Sequence, residues 1–229
     1  MTPAEVIALF ATPERLMRQC YLHIAGGATK TLASPHLPPP PANGQAVIAT
    51  FKVAIVDHKT VRGFTTGVSG FFGRRKDRPF VRVTKVSGPA KATPAADELN
   101  AYYIPMVQTS DVGANASHYS LPTAGVPDIA LTSKLSGCRF GVGSDAGGTL
   151  LVSHVQPDSA IPRGFEQLDA YNHVVSGFNS VTGTFGLEQD YDMYAAVIGK
   201  RTGTAWKFYC QASTLANDTY SIDATTSIG

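Results

Sequence analysis

The apolar runs in this chain are short. Ala46-Val47-Ile48-Ala49 and Leu150-Leu151-Val152 are the size of single strands, and no run reaches the roughly 18 apolar residues of a membrane helix. Glycine (22) and proline (15) cut the 229-residue chain throughout, and both residue types favour turns over helix and strand interiors. Charged residues are 16% of the total, below the roughly 25% of an average soluble chain. This pattern predicts an α+β, strand-rich chain with long loops rather than a helix bundle. An apolar fraction of 43% excludes disorder as the main state. Three cysteines and no glycine period exclude a disulfide-dense or collagen-like scaffold. The length is enough to bury a sizeable core in one large domain or two small ones.

Thr2-Pro3-Ala4-Glu5 has the form of a capping box with proline in the first helical turn, and Thr12-Pro13-Glu14 repeats the device. Two short helices are predicted up to about Tyr21. With the residues that follow they make an N-terminal helical appendage over 1–34. A stiff proline-rich linker over 35–44, carrying Pro38-Pro39-Pro40-Pro41, then leads into a main domain over 45–229. The whole can equally form one domain. Strands are predicted over Ala46–Asp57, Val61–Val68, Phe80–Val86, Leu150–Val155, Tyr194–Ile198 and Ala205–Gln211, with a hairpin turn at Gly199–Thr204. Thr93-Pro94, followed by Asp97 and Glu98, predicts a helix to about Tyr103. Ser110–Pro127 reads as a loop, and the tail from Thr214 as frayed.

Net charge is +2, so no global polyelectrolyte attraction to nucleic acid is expected. The charge is uneven: residues 1–115 carry 13 Lys+Arg against 7 Asp+Glu, and the remainder 6 against 10. The cluster Gly73-Arg74-Arg75-Lys76-Asp77-Arg78 is either a solvated hairpin tip or a docking patch. The N-terminus has no basic region before its short apolar run, so synthesis in the cytoplasm without a Sec signal is expected. Cys20, Cys138 and Cys210 are widely spaced, which fits reduced thiols. Without a Cys-x-x-Cys pair, no structural zinc site is expected, and a Cys–His thiol mechanism requires no metal or cofactor.

One segment has the ingredients of thiol chemistry. Thr132-Ser133-Lys134-Leu135-Ser136-Gly137-Cys138 is followed by a glycine-rich stretch and by a strand carrying His154. A cysteine nucleophile needs a base that takes its proton and backbone N–H donors for the oxyanion. Ser136 and Gly137 allow a sharp turn and close approach of a substrate, and they are the positioning residues beside the nucleophile. The glycines after Cys138 let the chain reverse and bring His154 back beside it. In an extended Leu131–Leu135, the Thr132 hydroxyl can orient the imidazole as the third member of a triad. A lone cysteine is also often a small buried hydrophobe, so spacing alone leaves both readings open. His173 is a second candidate base. His118 is expected in a solvated loop, and His23, His36 and His58 have no chemical context. Glu188, Asp190 and Asp192 form an acidic stripe short of a full calcium motif. Trp206 and Tyr209 read as core or sheet-face residues, and Cys20 and Cys210 as structural.

The set Thr132, Leu135-Ser136-Gly137-Cys138, the glycine-rich turn and His154 resembles the glutamine-deamidase toxin superfamily. That group includes the cytotoxic necrotizing factors and the Burkholderia lethal factor, and the chemoreceptor deamidases share its fold. Val126–Leu131 and the Ile104-Pro105 step also have counterparts there, so the likeness covers about Ile104 to Pro157. The resemblance implies a central β-sandwich of mixed sheets flanked by helices and long loops. It implies Cys138 as nucleophile, His154 as base and Thr132 as orienter, with the Cys138 N–H in the oxyanion hole. A threonine orienter points to the branch of the lethal factor and the chemoreceptor deamidases. The implied activity is conversion of a glutamine in a host protein to glutamate, by a bacterial toxin or effector acting in the host cytosol. A translation-initiation RNA helicase or a small GTPase is the implied target class, with no nucleic acid bound directly and the chain acting as a monomer. A transglutaminase or thiol protease would use the same Cys–His pair. A non-catalytic β-sandwich binding or structural module would leave Cys138 merely buried.

Overall fold

The computed structural model describes residues 1–25, 44–57, 60–63, 76–109, 118–157, 165–216 and 219–229. Two short helices come first, α1 (Pro3–Leu9) and α2 (Pro13–Gln19). The strands β1 (Tyr21–Ala25), β2 (Val47–Ile55), β3 (Thr60–Gly63), β4 (Lys76–Asp77), β5 (Phe80–Lys85), β6 (Glu98–Ile104), β7 (Val107–Gln108), β8 (His118–Ser120), β9 (Ile129–Thr132), β10 (Arg139–Ser144) and β11 (Leu150–Gln156) follow. After α3 (Glu166–Ser176) come β12 (Ser180–Gly186), β13 (Tyr194–Thr202), β14 (Ala205–Ala216) and β15 (Thr219–Ile228). Ten strands form one mixed sheet in the order β1-β5-β2-β6-β9-β13-β14-β15-β3-β4. Five form a second, β12-β10-β11-β7, with β8 also on β11.

One core lies between the two sheets and a second on the opposite face of the large sheet. Alternation along β6, β9 and β13 sends Tyr102, Ile104, Ala130, Ala195 and Val197 to one face, where they meet Cys138, Phe140, Val142 and Val152 of the small sheet. The opposite residues of the same strands, Ala101, Tyr103, Ile129, Leu131, Ala196 and Ile198, face a second core closed by α1, α2 and β1. Residues 1–25 are therefore built into the main sheet and its core. β1 pairs in parallel with β5, and Tyr21 and Phe80 pack with Tyr220 and Ile222 of β15, so the large sheet curls back on itself. Gln211 of β14 fixes that return, accepting from the Leu22 N–H (2.9 Å) and donating to the Met17 (2.6 Å) and Cys20 (2.7 Å) carbonyls.

Local signals in the first turns are mostly obeyed. Thr2 and Glu5 form the reciprocal capping box of α1. Thr12 makes no such cap, because its hydroxyl donates back to the Leu9 carbonyl between the two helices. The helix expected from Thr93 to Tyr103 is instead the central strand β6 between β2 and β9. Asp97 ends the turn before this strand and Glu98 is its first residue: the Glu98 carboxylate accepts from the Ala95 N–H and pairs with Lys91. Leu99, Ala101 and Tyr103 alternate with Tyr102 and Ile104 to fill both cores, and tertiary burial outweighs the helix-start signal.

Three further expectations change. Part of the segment predicted as a loop is strand β8, while 110–117 lie outside the described residues. The hairpin turn is tighter than expected: β13 runs to Thr202, which pairs with Ala205 around Gly203 and Thr204. The tail expected to fray is the end of β14 and all of β15, paired over most of their length. Only 61–63 of the predicted 61–68 strand are described. The proline run, His36, His58 and Arg74–Arg75 of the basic tip lie outside the described residues. No helix among the described residues is long and apolar enough to cross a membrane.

Candidate active site

The glycine-rich stretch does reverse the chain. β10 and β11 are antiparallel, with Ser144 opposite Leu150. The Asp145 side chain accepts from the Gly147 (2.9 Å) and Thr149 (2.8 Å) N–H groups inside the turn. Two of the glycines serve a close approach. A Cβ on Gly141 would stand 2.1 Å from Val174 Cγ1 of α3, and one on Gly143 2.4 Å from Phe178 Cγ. α3 thus lies directly on the outer face of β10. In this register His154 is opposite Phe140, and strand alternation puts Cys138, two residues before Phe140, toward the same inner face.

Thr132 reaches that face from the large sheet. Its hydroxyl lies 2.7 Å from the Ile104 carbonyl and 2.5 Å from His154 Nδ1. A hydroxyl carries one hydrogen, and the carbonyl can only accept it. Nδ1 must then hold the ring proton and donate to Thr132, which leaves the lone pair on Nε2. Nε2 is buried and has no hydrogen-bond partner among the described residues. The ring is fully buried, and burial pushes the imidazole down to about 3, so it is neutral at physiological pH.

Cys138 follows a turn pinned at both ends. Leu135 exchanges both backbone hydrogen bonds with Ala195. Ser136 is exposed, and Gly137 has φ +89°, a left-handed conformation in which a side chain would be strained. The Gly137 carbonyl accepts from Gln167 Nε2 (3.1 Å), and the Cys138 carbonyl from the Tyr191 hydroxyl (2.7 Å). The thiol is 1% exposed, with Sγ 3.6 Å from Met106 Sδ. Burial pushes it up to about 11, and the Ser136 backbone N–H acts in the opposite direction. Thr132 and His154 are therefore joined by a hydrogen bond. Cys138 shares their face, but its thiol contacts Met106 and makes no hydrogen bond to Nε2. In this closed arrangement both reacting groups are uncharged.

Other candidates separate clearly. His118 is buried, its Nε2 2.7 Å from the Val174 carbonyl and its ring edge-on to Phe178. This overturns the solvated-loop expectation, because β8 draws it under α3. His173 is on α3, on the far side of β10 from the thiol's face. His23 is half-buried on β1 and stacks on Phe80. In the acidic stripe, Asp190 accepts from the Gly186 N–H (2.8 Å). Among the described residues no group of three or more His, Cys, Asp or Glu side chains is arranged to hold a metal ion. Trp206 is buried and donates to the Pro122 carbonyl. Cys20 and Cys210 are fully buried in the two cores.

Sequence reasoning missed Met106, Gln167 and Tyr191. Tyr191 is 53 residues from Cys138 and Gln167 is 30 from Gly137. No local motif connects such distant positions; only the packing of α3 and of the turn after β12 does. Met106 had a nearby signal in Ile104-Pro105, since β6 must end there. No protein-family model matches the chain, and the comparison with curated proteins found no match.

Proposed function

We propose that this chain is a protein glutamine deamidase of the necrotizing-factor catalytic-domain type, with Cys138 as nucleophile, His154 as base and Thr132 as orienter. The observation that carries the reading is the Thr132–His154 hydrogen bond, which leaves the unpartnered lone pair of Nε2 on the face that Cys138 shares. An imidazole held in one tautomer presents a fixed acceptor to that face, and opening the site to a substrate relieves the burial that weakens it as a base. The sheet-rich α+β architecture, with two sheets around a core and α3 outside, is compatible with that class.

Because both groups are neutral when closed, the thiol proton moves to Nε2 as attack occurs, once Met106 has left Sγ. The sulfur adds to the carboxamide carbon of a substrate glutamine and forms a tetrahedral oxyanion. The imidazolium returns its proton to the departing nitrogen, so ammonia leaves and a thioester remains. His154 then takes a proton from water, the hydroxide adds to the thioester, and the thiol is regenerated with glutamate as product. The new negative charge disables a glutamine that works in catalysis or switching. The target is proposed to be a host cytosolic protein of the translation-initiation helicase or small GTPase class, reached by a bacterial effector. Cys138→Ser keeps the shape of the site and removes the thiol. Wild-type and Cys138→Ser protein are incubated with host lysate, and Gln-to-Glu conversions are mapped by mass spectrometry. Conversions confined to the wild type are expected; matching profiles overturn the proposal.

The 1% exposure of Cys138 favours a second reading, a non-catalytic module in which the cysteine only packs. Labelling by a small alkylating agent separates the two, since a packing thiol reacts no faster than Cys20 or Cys210.

A further inference from the structure

We infer that Gln167 is a positioning residue for this site: its side-chain amide holds the Gly137–Cys138 peptide so that the Cys138 N–H faces the oxyanion. The inference rests on Cys138 being the nucleophile. Gln167 lies in the first turn of α3, on the outer face of the small sheet, and its Nε2 donates to the Gly137 carbonyl at 3.1 Å. In a trans peptide the C=O and the following N–H point in opposite directions. Drawing the Gly137 carbonyl toward α3 therefore turns the Cys138 N–H away from the helix, to the side where the Tyr191 hydroxyl lies. The lock is needed because Gly137, at φ +89°, has no side chain to restrain its peptide planes.

The other arm of the amide supports the assignment. Gln167 Oε1 is buried and has no partner among the described residues, which is unfavourable for an acceptor. Flipping the amide would set Oε1 against the Gly137 oxygen, acceptor to acceptor. The orientation is thus fixed by the one contact that needs a donor.

The test compares two reactions of Cys138 in the full chain. Acylation by p-nitrophenyl acetate passes through an oxyanion, whereas alkylation by iodoacetamide does not. Gln167→Met is expected to slow acylation by about tenfold or more, the scale of a weakened oxyanion donor, and to leave alkylation within about twofold. Gln167→Glu presents a carboxylate to the carbonyl near neutral pH and should be slowed likewise. As pH falls and the carboxyl regains an O–H donor, its acylation rate relative to wild type should recover. The Gln167→Met ratio should stay flat. Parallel losses in both reactions, no loss in either, or the same flat ratio in Gln167→Glu overturns the positioning role. A wild-type protein alkylated at Cys138 but never acylated overturns the nucleophile assignment instead.

Discussion

The Thr132 hydroxyl donates to the Ile104 carbonyl and accepts from His154 Nδ1, so one oxygen joins the edge of a backbone ladder to the ring that holds the free lone pair. Removing it has two effects. Thr132→Ala leaves a buried carbonyl and a buried ring N–H without partners, which costs about 1–3 kcal/mol of stability. It also frees the ring to change tautomer, so Cys138 acylation should fall well below the loss of stability at working temperature. Thr132→Ser keeps the hydroxyl and should retain most of both. Denaturant titration and acylation bursts on the same samples measure the two effects.

Met106 covers the thiol, its Sδ 3.6 Å from Sγ. Methionine is unbranched and adaptable, so the cover can move without unfolding the sheet. Cys138 should therefore alkylate faster than Cys20 or Cys210 in the native protein. Met106→Ala should raise the Cys138 rate about tenfold, and Met106→Leu should leave it near wild type. Peptide mapping after timed labelling reads all three thiols. Equal rates at all three would remove both the cover and the nucleophile.

Acid should destabilise the fold through two histidines. Burial lowers His154 to about 3 and His23 to about 4, against 6.5 when unfolded. Between those values the unfolded chain binds protons that the native one does not, so stability falls as pH drops from about 6.5 toward 3. His154 removes up to about 1.4 kcal/mol per pH unit in its window, and the half-buried, solvent-screened His23 removes less. His154→Gln should flatten the slope. Urea midpoints measured at half-unit steps of pH test this, and an unchanged slope would show that the ring is hydrated in solution.

Gln211 makes three buried hydrogen bonds to the backbone of α2, Cys20 and β1. Gln211→Leu preserves much of the volume and leaves one N–H and two carbonyls unpaired. A loss of about 2–4 kcal/mol in urea denaturation is expected. A neutral result would mean that water replaces the amide.

The parts of the site that were legible in the sequence are the local ones. The glycines after Cys138 specify a reversal, a two-residue side-chain period then fixes which face His154 shares, and an extended Thr132 segment reaches the same interior. What was illegible depends on distant burial. Nothing near Glu98 signals that Leu99–Ile104 must fill two cores at once, and its acidic start imitates a helix N-terminus. The polar tail after Thr214 becomes a strand because β14 offers it a ladder, not because its own residues are apolar. His118 looked solvated for the same reason: α3, which covers it, begins 48 residues later.

The amide of Gln211 also bears on when the chain can fold. During synthesis, Met17, Cys20 and Leu22 leave the ribosome long before the side chain that binds them. The early helices and first strand meet β2, β5 and β6 first, but these three backbone groups stay unpaired until β14 emerges. A nascent chain stalled before β14 should therefore be more protease-sensitive over α1, α2 and β1 than one stalled after it, and full native protection there should arise only once β14 has emerged.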